Sequence, residues 1–454
     1  HPTPLGLFVN SGLRCQPSQF ATAARKMAYL WARRAAEGRG AVSRGLVPGG
    51  MVQLRGVAPH RPWEVAAVAQ RAKSSSAAAP SSSFQPPKTP SRPGAVVERM
   101  ASALQRPGLT QPPDLWGSPV VQGGVGSSGL DWGSLGFDYV PTAGHWRHVW
   151  KDGQWDAGSF VPDPYLSVHI LGNVFHYGQA LFEGFKCFQQ KDFSVKTFAD
   201  IKCHQRMAHG CNRFRMPMVS KQEWERAIDE AISRNIEFVP PYGSGGSLYV
   251  RPFIFGSGPR LGLGPAPEYT FVVMVNPVGS YYPAGKMQAL DALVNDEYDR
   301  AAPRGCGDCK AAGNYAADLE SMHKAKHAGY PISLYLDASK QRYIEEFNTS
   351  NFVAITKDGR YLTPDAPRSI LASNTNKVLQ QIARDMGISV EVRPIDFEKE
   401  VDSFDEVGAV GTAVVVTPIR SLTRGSQVWS FSKPKILKEL YARVQSVQTG
   451  EMPD

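Results

Sequence analysis

The sequence predicts a mixed α/β (α+β) protein, and three observations carry that prediction. Segments with helical periodicity alternate with short runs rich in β-branched and aromatic residues. Between residues 221 and 235, Trp224, Ala227, Ile228, Ala231 and Ile232 fall on one helical face. Two Asp-Gly pairs, Asp152-Gly153 and Asp358-Gly359, sit inside alternating runs of bulky residues, the pattern of β-hairpins. With 454 residues, 42% hydrophobic and 20% charged, the chain is long enough for two such domains and a tail.

Residues 1–128 are expected to be a transit peptide or a disordered basic extension. They are rich in Ala, Ser, Pro and Arg, and residues 73–84 are of low complexity, a composition that cannot bury a core. Residues 1–110 hold fifteen Lys and Arg against three acids, a balance of +12 within a total of +9, so the rest of the chain carries −3. A basic amphipathic pattern at 21–36 fits an organelle address, and the serine content favours a plastid over a mitochondrion.

Residues 129–276 read as a small α/β domain. Trp132–Phe137 and His145–Trp155 alternate bulky and polar residues about Asp152-Gly153, and Leu166–Ile170 reads as another strand. Helices are expected at 199–213 and 221–235, and buried strands at 246–255 and 269–275. The Pro- and Gly-bearing stretch 277–286 reads as a linker. Residues 287–454 form the larger expected domain, with one helix from Asn314 to about His327 and paired strands at 333–337 and 343–347. A hairpin about Asp358-Gly359, a helix from Thr375 to Met386 ended by Gly387, a strand at 389–393, two strands across 406–417 and a closing helix at 434–447 complete it.

The second domain is organised around the stretch Cys306–Glu320. Lys310 stands in a glycine-bearing turn ahead of the pair Asn314-Tyr315, and Glu346 follows in a strand-like segment. A lysine held by a turn and a carboxylate in a strand are what pyridoxal phosphate (PLP) needs. The lysine forms the Schiff base and the acid partners the ring nitrogen. Glu345 is the neighbouring candidate, but strand alternation turns it to the other face.

Five stretches together resemble the branched-chain amino-acid aminotransferases, of the PLP-dependent fold-type IV (class IV) group. They are Tyr177–Lys186, Leu248–Pro252, Lys310–Tyr315, Glu346–Asn351 and Gly411–Ala413, and the resemblance covers about residues 130–450. It implies a small N-terminal α/β domain, a larger C-terminal pseudo-barrel domain with PLP between them, and a homodimer. The implied reaction is reversible, ping-pong transfer of the amino group of leucine, isoleucine or valine to 2-oxoglutarate. The resemblance also implies Lys310 as the catalytic residue and Arg206, Lys310, Tyr315, Glu346, Asn374, Thr375 and Thr412 as the cofactor's partners. Around the substrate it implies Phe137, Tyr177, Phe182, Tyr249, Arg251, Tyr281, Thr349 and Ala413. Arg251 matches an arginine associated with the second carboxylate of glutamate. The phosphate turn departs from the family pattern, with Ala372 where Pro is usual and Asn374 where an aliphatic residue is usual. Other activities on the same scaffold are a methionine-related 2-oxo acid aminotransferase, a D-amino-acid aminotransferase and aminodeoxychorismate lyase.

Composition and spacing argue against other classes. The basic charge belongs to the N-terminal segment rather than the body, so no nucleic-acid partner is expected. No apolar run approaches 18 residues, so no membrane span is expected. Glu320, His323 and His327 share a helix face without further ligands, and no metal is expected. Cys306 and Cys309 form one Cys-x-x-Cys beside Lys310 with no second pair, and they read as ordinary thiols.

Overall fold

The computed structural model describes residues 124–280, 287–365 and 367–452. All of them lie in the compact unit Ser91–Asp454, while the unit His1–Pro90 falls outside the described residues. So do most of the expected extension, Tyr281 and most of the expected linker. The packed body begins ahead of Leu130. Val125 packs against the first core, and Ser128 N donates to Glu237 O at 3.1 Å.

Eight strands form the first sheet: β1 (His145–Lys151), β2 (Gln154–Trp155), β3 (Ser159–Val161), β4 (Ala180–Phe182), β5 (Phe185–Gln189), β6 (Val195–Phe198), β7 (Ser247–Gly256) and β8 (Glu268–Val278). Every pairing is antiparallel, with β8 between β1 and β7. The Asp152-Gly153 hairpin sets Trp150 opposite Trp155, and both turn residues have positive φ, 52° and 90°, as the twist of a two-residue hairpin requires. The helix Lys221–Ser233 is capped by Ser220, whose Oγ accepts from Glu223 N at 3.1 Å. It buries the expected face, Trp224, Ala227, Ile228, Ala231 and Ile232. The helix Asp200–Phe214 buries Cys203, Met207, Gly210 and Cys211.

Two expected strands are absent. Residues 132–137 form turns, because the Asp131 carboxylate takes Gly133 N at 3.1 Å and Asp131 O takes Ser134 N at 3.1 Å. Such local bonds compete with a sheet ladder. Residues 166–170 are irregular, and Ile170 is 78% exposed. Alternation there has no buried face to serve.

The second sheet contains β9 (Leu290–Asn295), β10 (Ile332–Leu336), β11 (Ile344–Phe347), β12 (Asn351–Thr356), β13 (Tyr361–Thr363), β14 (Val390–Val392), β15 (Phe404–Gly411), β16 (Val415–Arg424) and β17 (Gln427–Ser430). Strand β11 pairs with both β10 and β12, so the path β9–β10–β11–β12–β15–β16 closes on itself. Closure removes the free edges of those six strands. The barrel's core is formed by Leu334, Phe347, Phe352, Phe404, Ile419 and Leu422, among others. The architecture is the expected one, an α/β layer joined to a pseudo-barrel.

The single helix expected at 314–327 is two, Ala312–Ala316 and Leu319–His327. Asp318 stands at the break, where its carboxylate accepts the Tyr335 hydroxyl instead of capping the second helix. The helix Asn374–Asp385 is capped by Ser373, whose Oγ accepts from Asn376 N at 3.1 Å, and Gly387 follows it at φ 77°. No helix among the described residues is long and apolar enough to cross a membrane.

Candidate active site

The spacing of Lys310, Asn314 and Tyr315 acquires its reason in the lysine loop. Asn314 Nδ2 donates to Cys306 O and to Cys309 O, each at 3.0 Å, and so ties the loop to the helix that follows it. Gly307 has no room for a side chain, since a Cβ there would stand 2.3 Å from Ser369 O. Lys310 O accepts from Phe182 N at 3.1 Å, and Ala311 forms a β-bridge with Leu181. These contacts fasten the loop to the first sheet. They leave Lys310 Nζ donating to the Tyr315 hydroxyl at 2.9 Å, with the Phe182 ring centroid 4.8 Å away.

Across the cavity, β11 presents Glu346. Its Oε2 accepts from Asn351 Nδ2 at 3.0 Å and its Oε1 from Leu371 N at 2.9 Å, and Arg300 Nη2 lies 2.6 Å from Oε1. Burial pushes the carboxyl above its usual range, and Arg300 pulls it part of the way back. Sequence reasoning missed Arg300. No motif surrounds it, and only the fold brings it beside a strand far along the chain.

Glu345 faces the other way, as alternation requires. It is buried, its Oε2 has no hydrogen-bond partner, and burial pushes its carboxyl up to about 7. Below the ordinary carboxylate pKa of about 4.5 both folded and unfolded chains hold this proton. Between about 4.5 and 7 the folded chain binds more protons than the unfolded one, so stability falls as pH rises through that window. Glu345→Gln is therefore expected to raise the melting temperature at pH 8 relative to the parent and to leave it unchanged at pH 4. Equal shifts at both pH values in thermal scans would refute this.

The anion end of the cavity is built from three places. Arg206, on the helix Asp200–Phe214, pairs with Glu183 through Nε (2.7 Å) and Nη2 (2.6 Å) and donates from Nη1 to Ala372 O at 2.9 Å. Burial opposes the Arg206 charge, but the Glu183 carboxylate outweighs it and holds the guanidinium firmly protonated. Three of the five N–H groups are engaged, which leaves two for a phosphate. The helix Asn374–Asp385 supplies backbone N–H groups at its start. Asn374 Nδ2 turns to Cys203 Sγ at 3.4 Å, and Thr412 Oγ1 donates to Gly184 O at 3.3 Å. Glu183 lies within the stretch Tyr177–Lys186, and no local spacing marks the buried pair it forms with Arg206. Lys186 is another such residue. Its buried Nζ donates to Ala413 O at 2.8 Å, and burial pushes the ammonium down to about 8.

A cavity of about 640 Å³ brings together Arg206, Lys310, Tyr315, Glu346, Asn374, Thr412, Phe182, Tyr249, Arg251, Thr349 and Ala413. The tight turn between β11 and β12, in which Phe347 N donates to Ser350 O at 2.8 Å, carries Thr349. Arg251 lies 5.0 Å from the Phe182 centroid and 5.1 Å from that of Tyr249, and its Nη2 donates to the Tyr249 hydroxyl at 3.0 Å. Gly184 makes room for that hydroxyl, since a Cβ there would lie 1.9 Å from it. Phe137 stands outside the cavity lining with its ring 6.0 Å from Tyr249. Tyr177 also stands outside and is 40% exposed, its hydroxyl donating to Leu261 O. Thr375 lines a small adjoining space with Lys186. Tyr281 lies outside the described residues.

Cys309 is buried, and burial pushes its thiol up to about 12, which keeps thiolate scarce at neutral pH. His209, Asp308 and Cys309 bring their ligand atoms within 4.8 Å of one another, with His209 Nε2 paired to Asp308 Oδ2 at 2.8 Å.

A lysine amine beside a phenol, a buried carboxylate and a group of anion donors around one cavity fit the chemistry of PLP. A family model described as amino-transferase class IV matches residues 181–422, and the protein is a PLP-dependent aminotransferase of that class. The branched-chain-amino-acid aminotransferase of Helicobacter pylori is 39% identical over 324 residues, 71% of this chain and 95% of the relative. Branched-chain-amino-acid aminotransferase 5, chloroplastic, of Arabidopsis thaliana is 36% identical over 331 residues, 72% of this chain and 78% of the relative. The crystal structure of the Escherichia coli branched-chain amino acid aminotransferase superposes with a TM-score of 0.56 at 28% identity, covering 68% of this chain and 96% of that one. The chain belongs to the branched-chain-amino-acid aminotransferases.

Proposed function

We propose that the chain transfers the amino group of leucine, isoleucine or valine to 2-oxoglutarate, reversibly and by ping-pong kinetics. The observation that carries this reading is the pairing of the Phe182 and Tyr249 rings with Arg251 in one cavity. Apolar walls suit a branched side chain, whose burial is worth about 1.5–3 kcal/mol. The cation between the rings suits the second carboxylate of glutamate, and its buried Nε has no protein partner.

The remaining roles follow from position. PLP, when bound, supplies an electron sink for the negative charge that develops at the substrate Cα. Lys310 Nζ moves the proton at that carbon, with the Tyr315 hydroxyl at 2.9 Å orienting the amine. Glu346, desolvated and fixed by Asn351 and Leu371 N, holds a proton at the ring nitrogen. Arg206, Thr412 and the start of the helix at Asn374 and Thr375 hold the phosphate. Thr349 and Ala413 receive the α-carboxylate. The small domain at 129–276 and the large one at 287–454 close on the cofactor from two sides.

Initial rates with Leu, Ile, Val, Met and D-Ala against 2-oxoglutarate test the assignment. The three branched substrates are expected to lead. A lead for Met or D-Ala would move the protein to another activity of the same scaffold.

A homodimer belongs to the same reading. Tyr165, Ile170, Phe175, Leu261 and Leu263 are 62–82% exposed, a large apolar display for a lone chain. Arg260 N donates to Leu171 O at 3.0 Å and Asn173 Nδ2 to Gly264 O at 2.8 Å, which joins the segments that carry them. Light scattering is expected to give twice the chain mass, and Leu263→Asp to give monomers. The serine-rich basic segment 1–128, with a plant relative named chloroplastic, supports a plastid address. Imaging of that segment fused to a fluorescent protein tests it.

A further inference from the structure

Beside the phosphate turn lies a second cleft, of about 540 Å³, which shares Arg206, Asn351, Leu371, Ser373 and Asn374 with the first but is lined by neither Lys310 nor Glu346. One wall is the outer face of the helix Asp200–Phe214, which contributes Lys202, Gln205 and His209. A second is the helix Asn374–Asp385, with Lys377 and Gln380. The third is the loop between β13 and that helix, with Arg368 at its bend. The side chains of Lys202, Arg368 and Lys377 make no hydrogen bond or ion pair among the described residues. Two acids line the cleft, Asp308 and Asp365, and His209 already engages Asp308. Unpaired cations outnumber unpaired acids, and Ile370 and Leu371 add apolar surface.

Backbone groups of the loop that walls this cleft bond to residues of the cofactor cavity and to the partners of those residues. Arg368 O accepts from Asp308 N at 3.1 Å, in the lysine loop. Ser369 O accepts from Arg300, the partner of Glu346. Leu371 N donates to Glu346 at 2.9 Å, and Ala372 O accepts from Arg206 at 2.9 Å. Arg368 itself is held at φ 81°, a conformation costly for a non-glycine residue and kept only by its surroundings. A ligand that draws Arg368 toward the cleft acts on a strained residue whose neighbours hold the ring-nitrogen carboxylate and the phosphate arginine.

We propose that this cleft binds a small polyanion, with two or more negative charges on phosphate or carboxylate groups, and that its occupancy tunes the active site through residues 368–372. Three cations on three separate elements suit a ligand with charges spread over several atoms. The cleft volume lies within the usual range for small-molecule sites, about 300–1,000 Å³.

The test uses the PLP-loaded full chain, so that the cofactor occupies the catalytic anion site. Calorimetric titrations with pyrophosphate and, separately, citrate run at constant ionic strength, while the visible absorbance of the bound cofactor is followed. The expected result is saturable binding of at least one of them, with a change in the cofactor band and in the rate. Lys202→Gln/Lys377→Gln is expected to keep the basal rate and to weaken binding roughly tenfold per lost contact. Pyrophosphate alone assigns the site to phosphates, citrate alone to carboxylates, and both to polyanions in general. Absence of saturable binding by either probe, or binding unchanged in the double variant, overturns the site. Binding that moves neither the cofactor band nor the rate overturns the coupling.

Discussion

Lys310→Ala is expected to give a folded, colourless protein whose transamination rate is lower by about 10⁴-fold or more. On the proposed roles, the variant loses both the covalent anchor and the amine that moves the proton at Cα. Neither of its nearest candidates stands ready to replace it, because Tyr315 is a phenol and the Lys186 amine is held by its bond to Ala413 O. Folding should survive. The lysine loop is held by Asn314 and by the backbone bond from Phe182 N to Lys310 O, and neither needs the Lys310 side chain. Initial rates and the visible spectrum of the purified variant give the answer. Residual activity near that of the parent would remove Lys310 from the mechanism.

Glu183→Ala is expected to cost about 3–5 kcal/mol of stability, the penalty for leaving one partner of a buried ion pair uncompensated. Glu183 is fully buried and Arg206 nearly so, and the two make a two-point contact. Without the carboxylate the guanidinium keeps only its bond to Ala372 O. Because Arg206 also faces the cofactor cavity, the variant should bind PLP more weakly as well. Urea unfolding of the cofactor-free protein isolates the first effect, and PLP titration measures the second. Glu183→Gln, which keeps the shape and one acceptor, should lose less of both. A midpoint shift of zero for Glu183→Ala would mean that the pair is not formed in solution.

Much of this protein was legible because its chemistry is written in short stretches. The helix at 221–233 shows its buried face directly in Trp224, Ala227, Ile228, Ala231 and Ile232. Asp152-Gly153 turns the chain where its conformational preferences say it must. Lys310, Asn314 and Tyr315 lie within one loop and the start of one helix, so their spacing in sequence is nearly their arrangement in space. The strands expected at 132–137 and 166–170 failed for the converse reason. Alternation is a necessary sign of a half-buried strand, but whether a sheet waits to receive the strand is not a local property.

By itself, the sequence determined the mixed α/β class, the family and the residues most of which line one cavity, because each rests on local periodicity or on motifs a few residues long. Only the tertiary structure decided the rest. The pairing of β11 with both β10 and β12 closes the barrel, and the segment that follows β9, two strands from β11, sets Arg300 against Glu346. The packing of β4 on the helix Asp200–Phe214, where Leu181 lies against Gly210, sets Glu183 against Arg206. The loop at 368–372 became the wall between two cavities only once β13 and the helix Asn374–Asp385 were in place. These are contacts between residues far apart in the chain, fixed by burial and by the need to satisfy buried charges, and neither requirement leaves a mark on local spacing.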